Sequence, residues 1–367
     1  MLFIFSELFQ LLYQLVEKRS KLVGLFGILI LGYLAGSADP ATTSDYDTYQ
    51  MVYSNSNNGL YFERGYSYLS SFFFNRGWSY LDFRVLFCIL ASIILYIGVV
   101  RFTSNVAIFV FLYGITAFFI DATQVRNFMM VSLVILGSSF LIRLNLKNCM
   151  ISVFFILLAA EFQSIGYVFL LIVLLRVLSK TLSPKAYKYS LVAVFALTAF
   201  IMLMVLIMGT GKFINILTKM SILIGSRGNL ADKISGQYTY GTTIRKLFLI
   251  LFTSFLGLLT TFRLRGGLLS DSFMDEKLSV LYTGATMTFL CVPLLFLAVD
   301  YSRIQRAGFL FVILSIAIFS ENKRMYKNKW ILTSLIILTC LVSMFTYNYI
   351  WGDDFIRTIP YLMKIVR

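Results

Sequence analysis

The sequence predicts an all-α polytopic membrane protein of about 11–12 transmembrane helices, counted as apolar runs able to cross roughly 30 Å of hydrocarbon. Three observations carry this. Of 367 residues, 59% are hydrophobic and 13% charged, with a mean hydropathy of +0.83, outside the soluble globular range. The apolar residues come in long runs, and 36 Phe and 22 Tyr suit lipid-facing surfaces and interfacial belts. The net charge of +15 arises from Lys and Arg gathered between those runs, a signal of topology and anionic headgroups. Membrane lipids are therefore expected as neighbours, and no nucleic acid.

Taken in order, residues 1–16 (MLFIFSELFQLLYQLV) are interrupted by Glu7, Gln10 and Gln14. They read either as a short span or as an interfacial helix, because a lone Glu in a membrane helix faces protein or water. The segment lacks the basic start of a signal peptide. Further runs lie at about 22–38, 83–100, 105–120, 127–142, 149–161, 165–179, 188–209, 246–262, 279–299, 307–320 and 330–349, allowing for interfacial flanks.

Alternate loops hold the basic residues: Lys18, Arg19 and Lys21; Arg101; Arg143 and Lys147; Arg176, Lys180, Lys185 and Lys188; Arg263 and Arg265; and Lys323 to Lys329. The positive-inside rule makes this set cytoplasmic. The outer set then comprises two larger extracytoplasmic loops at about 37–82 and 209–246, the short segments 121–127, 161–164 and 300–306, and the tail from Trp351. The loop 209–246 carries six basic residues, but long loops count little in this rule. With 4 Pro and no polar linker, residues 1–367 form a single integral membrane domain.

The four cysteines, Cys88, Cys149, Cys291 and Cys340, sit in or beside apolar runs with no metal or redox spacing. The absence of histidine removes the commonest general base and transition-metal ligand. Any catalysis must use carboxylates, Tyr, Lys or Arg. GTGK at Gly209–Lys212 is not a phosphate loop, because Leu206 and Phe213 stand where Gly and Ser or Thr are required.

The chemistry concentrates on the outer set. The island Ser44–Tyr68 (SDYDTYQMVYSNSNNGLYFERGYSY) combines carboxylates with Tyr46, Tyr49, Tyr53, Tyr61 and Tyr66, whose rings offer faces for a sugar. Asp47 or Glu63 is the candidate base, while Asp45 or Ser44 suits the N-cap of a helix over DTYQMVYS. Arg126, beside Asp121 and Gln124, reads either as an interfacial Arg paired with Asp121 or as a bidentate anion clamp. Arg303 and Arg306, three apart, share a helical face, with Asp300 a candidate partner. Arg84 and Arg227 are weaker anion-binding candidates. Glu161 and Gln163 occupy a short turn placed for substrate contact.

In this order the features resemble the EpsG family of Wzy-like bacterial polysaccharide polymerases. The resemblance rests on D-x-x-Y-x-x-x-Y built from Asp45 or Asp47 with Tyr49 and Tyr53, and E-x-G-Y at Glu63, Gly65 and Tyr66. It continues with an R-Q-like pair at Arg126–Asn127, an F-H-x-S-A-like turn at Phe162–Ile165, an R-I stretch at Arg303–Ile304 and a late P-Y at Pro360–Tyr361. Two positions depart from the family pattern: Asn127 replaces the glutamine and Gln163 the histidine. The resemblance implies a GT-C-like membrane glycosyltransferase acting on undecaprenyl-diphosphate-linked repeat units of O-antigen, capsule or exopolysaccharide. It places the site on the outer face of the bacterial cytoplasmic membrane, with undecaprenyl diphosphate as leaving group. Fixed guanidiniums would serve in place of a metal, and no cofactor is expected. A flippase and a chain-length regulator are the protein partners implied. An O-antigen-ligase-like transferase and a lipid-linked glycan transporter are the competing readings; the outward clustering of charge and the lack of an internal repeat disfavour the transporter.

Overall fold

A computed structural model describes residues 1–17, 19–43, 45–55, 62–183, 243–269, 271–289 and 301–351, with scattered positions between 192 and 212 and position 295. Its helices are α1 (Leu2–Val16), α2 (Lys21–Gly36), α3 (Tyr46–Ser54), α4 (Arg64–Phe74), α5 (Tyr80–Phe102), α6 (Val106–Ile115) and α7 (Phe118–Thr123). They continue as α8 (Val125–Phe140), α9 (Leu146–Ala160), α10 (Leu170–Thr181), α11 (Ile244–Gly266), α12 (Ser272–Thr286), α13 (Ser302–Glu321) and α14 (Lys329–Trp351). A 3₁₀ stretch, Ser164–Phe169, leads into α10. Among the described residues, β pairing is limited to one bridge between Leu268 and Tyr326. The protein is an all-α, multi-pass membrane protein.

Five stretches among the described residues are long and apolar enough to cross a membrane: α5, Ser164–Thr181, α11, α13 and α14. Helices α1, α2, α6, α8 and α9 are apolar but shorter, at 10–17 residues. The run expected at 105–120 is not continuous, being interrupted at Thr116–Ala117 to give α6 and the six-residue α7. Most of the run at 188–209, the loop 213–242 with Arg227, Asp300, and the tail with Pro360 and Tyr361 lie outside the described residues.

Helix starts follow ordinary capping chemistry. Ser79 opens α5 by accepting the Asp82 amide, Asn145 opens α9 through the Asn148 amide, and Asp271 opens α12 through the amides of Phe273 and Met274. Helix α8 packs between α5 and α9, and α2 lies against α5. Helices α11, α12, α13 and α14 pack on one another, and α13 joins them to α6 and α8. The apolar span of α13 is 89% buried against 33% for α14, so α13 is interior and α14 peripheral. The outward side chains Trp330, Ile331, Ile337, Leu338, Leu341 and Phe345 of α14 form the apolar surface that lipid requires.

The contacts of residues 1–16 distinguish a helix within the bundle from one lying on its surface. Phe3 contacts the rings of Phe118 and Phe119 on α7, while Gln14 Nε2 donates to Ser320 Oγ near the opposite end of α13. Helix α1 therefore runs through the depth of the bundle. Its polar residues Ser6, Glu7 and Gln10 are buried, and Phe5, Leu8, Leu12 and Leu15 point outward. That inverted amphipathicity suits a lipid-facing helix and not one lying on a water surface.

The helix ends sort into two opposite faces. At one, Arg176 and Lys180 pair with Glu276, Arg265 Nε with Asp275 at 2.9 Å, and Lys277 Nζ donates to Phe102 O at 2.7 Å. Glu321 accepts from Thr103 Oγ1 at 2.6 Å and the Ser104 amide at 3.0 Å. This end gathers Arg101, Arg143, Arg176, Lys180, Arg263 and Arg265, the basic loops that alternation had grouped together. Helices α3 and α4, too short to span, cover the other end.

Candidate active site

The site end is built on an aromatic floor. On α3 the spacing of Tyr46, Tyr49 and Tyr53 places all three rings on one helical face, and all three are buried. Tyr53 stacks on Phe83 with ring centres 5.1 Å apart, Tyr46 meets Tyr80 at 5.1 Å, and Tyr66 of α4 meets Phe87 at 5.3 Å. Tyr53 Oη also donates to Trp78 O at 3.0 Å. These contacts fasten α3 and α4 to the start of α5. The expectation that Tyr49 and Tyr66 present open faces to a sugar is corrected: their rings are spent on packing. Burial pushes the Tyr66 phenol well above its usual range, so it stays protonated and is not a base.

Above this floor, Glu63 and Arg126 form an ion pair through Oε2 and Nη1. Their side chains are 18% and 9% exposed, so the pair is recessed yet reachable. Arg126 Nε donates to Tyr49 Oη at 3.2 Å, and its guanidinium carbon lies 3.8 Å from the centre of the Phe62 ring. The flat cation is thereby held by a stacking ring, a phenol and a carboxylate. Glu63 Oε1 accepts the Ser164 amide at 3.0 Å, in the turn between α9 and α10. The next contact fixes that turn to α4: Gly65 N donates to Glu161 O at 2.8 Å. A Cβ at Gly65 would stand 2.9 Å from that carbonyl, so the close approach needs glycine.

Arg126 occupies the first turn of α8, just after Gln124, and Gln124 Oε1 accepts from Arg306 Nη2 at 2.6 Å. Arg306 is 1% exposed and belongs to the first turns of α13, where Arg303 is half-buried. Beneath them Asp121 accepts from Tyr113 Oη at 3.0 Å and Asn127 Nδ2 at 2.9 Å, tying α6, α7 and α8 together. The pairing considered between Arg126 and Asp121 is thus replaced by Glu63 on one side and Tyr113 with Asn127 on the other.

Other candidates fall elsewhere. Arg84 is 1% exposed, and it donates to Ala35 O at 3.2 Å, Ala122 O at 2.7 Å and Tyr80 Oη at 3.1 Å. It joins the ends of α2 and α7 to α5 and is not presented to an anion. Asp45 takes the N-cap position of α3 but makes no side-chain capping bond. Asp47 is exposed and lies two residues from Tyr49, so it points away from the face that meets Arg126. Gln163 is buried beside the Glu63 anchor, and Glu161 contributes its carbonyl to the turn. Among the described residues, no three carboxylates or thiols gather as a metal site.

Phe62, Ser164 and Gly65 were not singled out as site residues. Gly65 had a sequence signal, a glycine beside the Glu63 carboxylate in ERGY. The Ser164 contribution is a backbone amide, which no side-chain pattern encodes.

No curated protein and no solved structure matches the chain. The EpsG family profile matches residues 23–363, which takes in all of these site residues. Over nearly its whole length, then, the chain belongs to the EpsG family, of polysaccharide-polymerase-type membrane proteins.

Proposed function

We propose that the protein is a glycosyltransferase that polymerises undecaprenyl-diphosphate-linked oligosaccharide repeat units at the outer face of the cytoplasmic membrane. The observation that supports it most is the meeting of Glu63 with Arg126 in a recess at the non-basic end. Transfer of a sugar from a lipid diphosphate needs a proton acceptor for the attacking hydroxyl and fixed positive charge for the leaving diphosphate. Glu63 supplies the first and Arg126 the second, with Arg306 adding to the field through its bond to Gln124. Arg303, at the start of the same helix, is the further candidate for phosphate contact. A hydroxyl of one repeat unit attacks the anomeric carbon of the diphosphate-linked chain, Glu63 takes its proton, and undecaprenyl diphosphate departs. The product feeds O-antigen, capsule or exopolysaccharide, with a flippase supplying substrate and a chain-length regulator as a further partner.

The test is to give the purified protein a lipid-linked repeat unit. Ladders of lipid-linked oligomers with release of undecaprenyl diphosphate support the reading. Movement of the lipid between leaflets without new glycosidic bonds overturns it. Ladder formation should continue in excess chelator, because guanidiniums carry the charge neutralisation here; loss of ladders restored by a divalent cation would refute that part.

A further inference from the structure

We propose that Glu63 and the diphosphate of the incoming donor compete for Arg126, so that donor binding itself uncovers the base. This rests on the reading of the site as one for lipid-diphosphate transfer and adds its regulation. The two residues assigned opposite tasks are paired with each other: Glu63 Oε2 lies on Arg126 Nη1. In that state the oxygen that should accept a proton is engaged by the guanidinium, whose positive charge lowers its basicity, and the guanidinium has part of its fork engaged by the carboxylate. Neither group is then ready for transfer.

The two ends of the carboxylate differ. Oε1 is held by the Ser164 amide at 3.0 Å, a backbone donor fixed in the turn that also receives Gly65 N at 2.8 Å. Oε2 is held by a side chain. A diphosphate carries more charge than a carboxylate and offers several oxygens to one guanidinium fork, so it is the stronger partner for Arg126. Its arrival takes Arg126 from Oε2 and leaves Oε1 on Ser164. Oε2 is thereby released from Arg126 while Oε1 stays anchored. Arg126 keeps its place throughout through Tyr49 Oη at 3.2 Å and the Phe62 ring at 3.8 Å.

The transfer then balances. The acceptor O–H bond breaks and its proton goes to Glu63 Oε2. The oxygen forms a bond to the anomeric carbon, and the bond from that carbon to the phosphate oxygen breaks. Its electron pair stays on the lipid diphosphate, against Arg126. Departure of that product, with loss of the proton from Glu63 to water, lets Arg126 return to the carboxylate. Without donor the base is covered, which protects against idle proton transfer from water.

The exchange predicts a sign that a supporting role for Glu63 does not. Binding of inorganic pyrophosphate is measured by calorimetry on the full-length protein in nanodiscs, for wild type, E63Q, R126A and the double variant. If Arg126 is engaged by Glu63 about nine-tenths of the time, removing that competitor strengthens pyrophosphate binding about tenfold. E63Q should therefore bind more tightly while losing ladder formation, and R126A should bind weakly with or without E63Q. Equal or weaker binding by E63Q overturns the exchange and leaves Glu63 as a support for Arg126. R126A binding as well as wild type would instead remove Arg126 as the clamp, a failure of the underlying site reading. Should E63Q not fold, E63D decides the matter: its shorter carboxylate no longer reaches Arg126, and pyrophosphate should again bind more tightly than to wild type.

Discussion

Two arginines at the same end of the bundle show how partner type separates structure from chemistry. Arg84 donates to two main-chain carbonyls and a phenol, neutral acceptors that belong to the fold. Arg126 faces a carboxylate, the partner that the proposed exchange has a diphosphate displace. R84A should leave the carbonyls of Ala35 and Ala122 buried without their donor, at about 1–3 kcal/mol each. Thermal unfolding in detergent should show a large loss of stability, whatever the substrate. R126K should fold as wild type does, yet lose about 10²-fold in ladder formation, since a point charge cannot replace the bidentate fork. A folded, near-normal R126K would show that shape at this position is unimportant. The sequence marks Arg126, Glu63 and Tyr49 as candidates because each residue type announces its chemistry. Their pairing was not legible, since Glu63 and Arg126 are far apart in the chain and meet only through the packing of α4 on the 161–164 turn. The tyrosines misled for a related reason: an aromatic ring reads the same whether it receives a sugar or fills a core.

At the scale of elements, the position of the carboxylate depends on how closely α4 docks. Gly65 N and Glu161 O bond at 2.8 Å, and the space beside them excludes even a methyl group. G65A should push α4 off the turn, carry Glu63 away from both Arg126 and Ser164, and reduce ladder formation at least as much as R126K. Because α4 lies at the edge of the bundle, melting temperature should change little by comparison. Equal losses of stability and activity would mean that α4 supports the fold and not the base. Helix α1 offers a second test. Glu7 is buried against Gly114, where a Cβ would stand 2.5 Å from the carboxyl carbon, and its carboxylate oxygens find no hydrogen-bond partner among the described residues. A buried charge without a partner costs far more than a buried neutral amide. E7Q should therefore preserve or raise stability, whereas G114L should displace α1 and lower it, both read from unfolding in detergent. Glu7, Gln10 and Gln14, spaced three and four apart, share one face of α1. Which way that face points depends on the glycines of α2 and α6 that make room for it, and a single segment does not record those.

For the whole molecule, the division into two ends is the property most readable from the sequence and the one on which the function depends. Charge alternation between apolar runs grouped Arg101, Arg143, Arg176 and Arg265 without reference to contacts, and these residues share one end of the bundle. Depth was less legible. Arg101 Nε donates to Ser139 Oγ at 2.7 Å, which levels α5 and α8 at the basic end. At the other end Arg84 meets Ala122 just before α8 begins, while α5 continues for four more residues, about 6 Å at 1.5 Å per residue. Run lengths alone do not give this offset, because the short α7 and the turn at Gln124 interrupt the chain before α8. The proposed reaction requires the recess to open on the side where flipped lipid-linked sugars arrive. Single cysteines at Asn55, on the site end, and Lys147, on the basic end, test this in a background with the native cysteines replaced. A membrane-impermeant maleimide added outside intact cells should label the Asn55 position and leave Lys147 untouched until the membrane is permeabilised. The reverse pattern would place Glu63 and Arg126 in the cytoplasm and end the polymerase reading. Ladder formation by the cysteine-free background, measured in parallel, shows that the labelled protein is the working one.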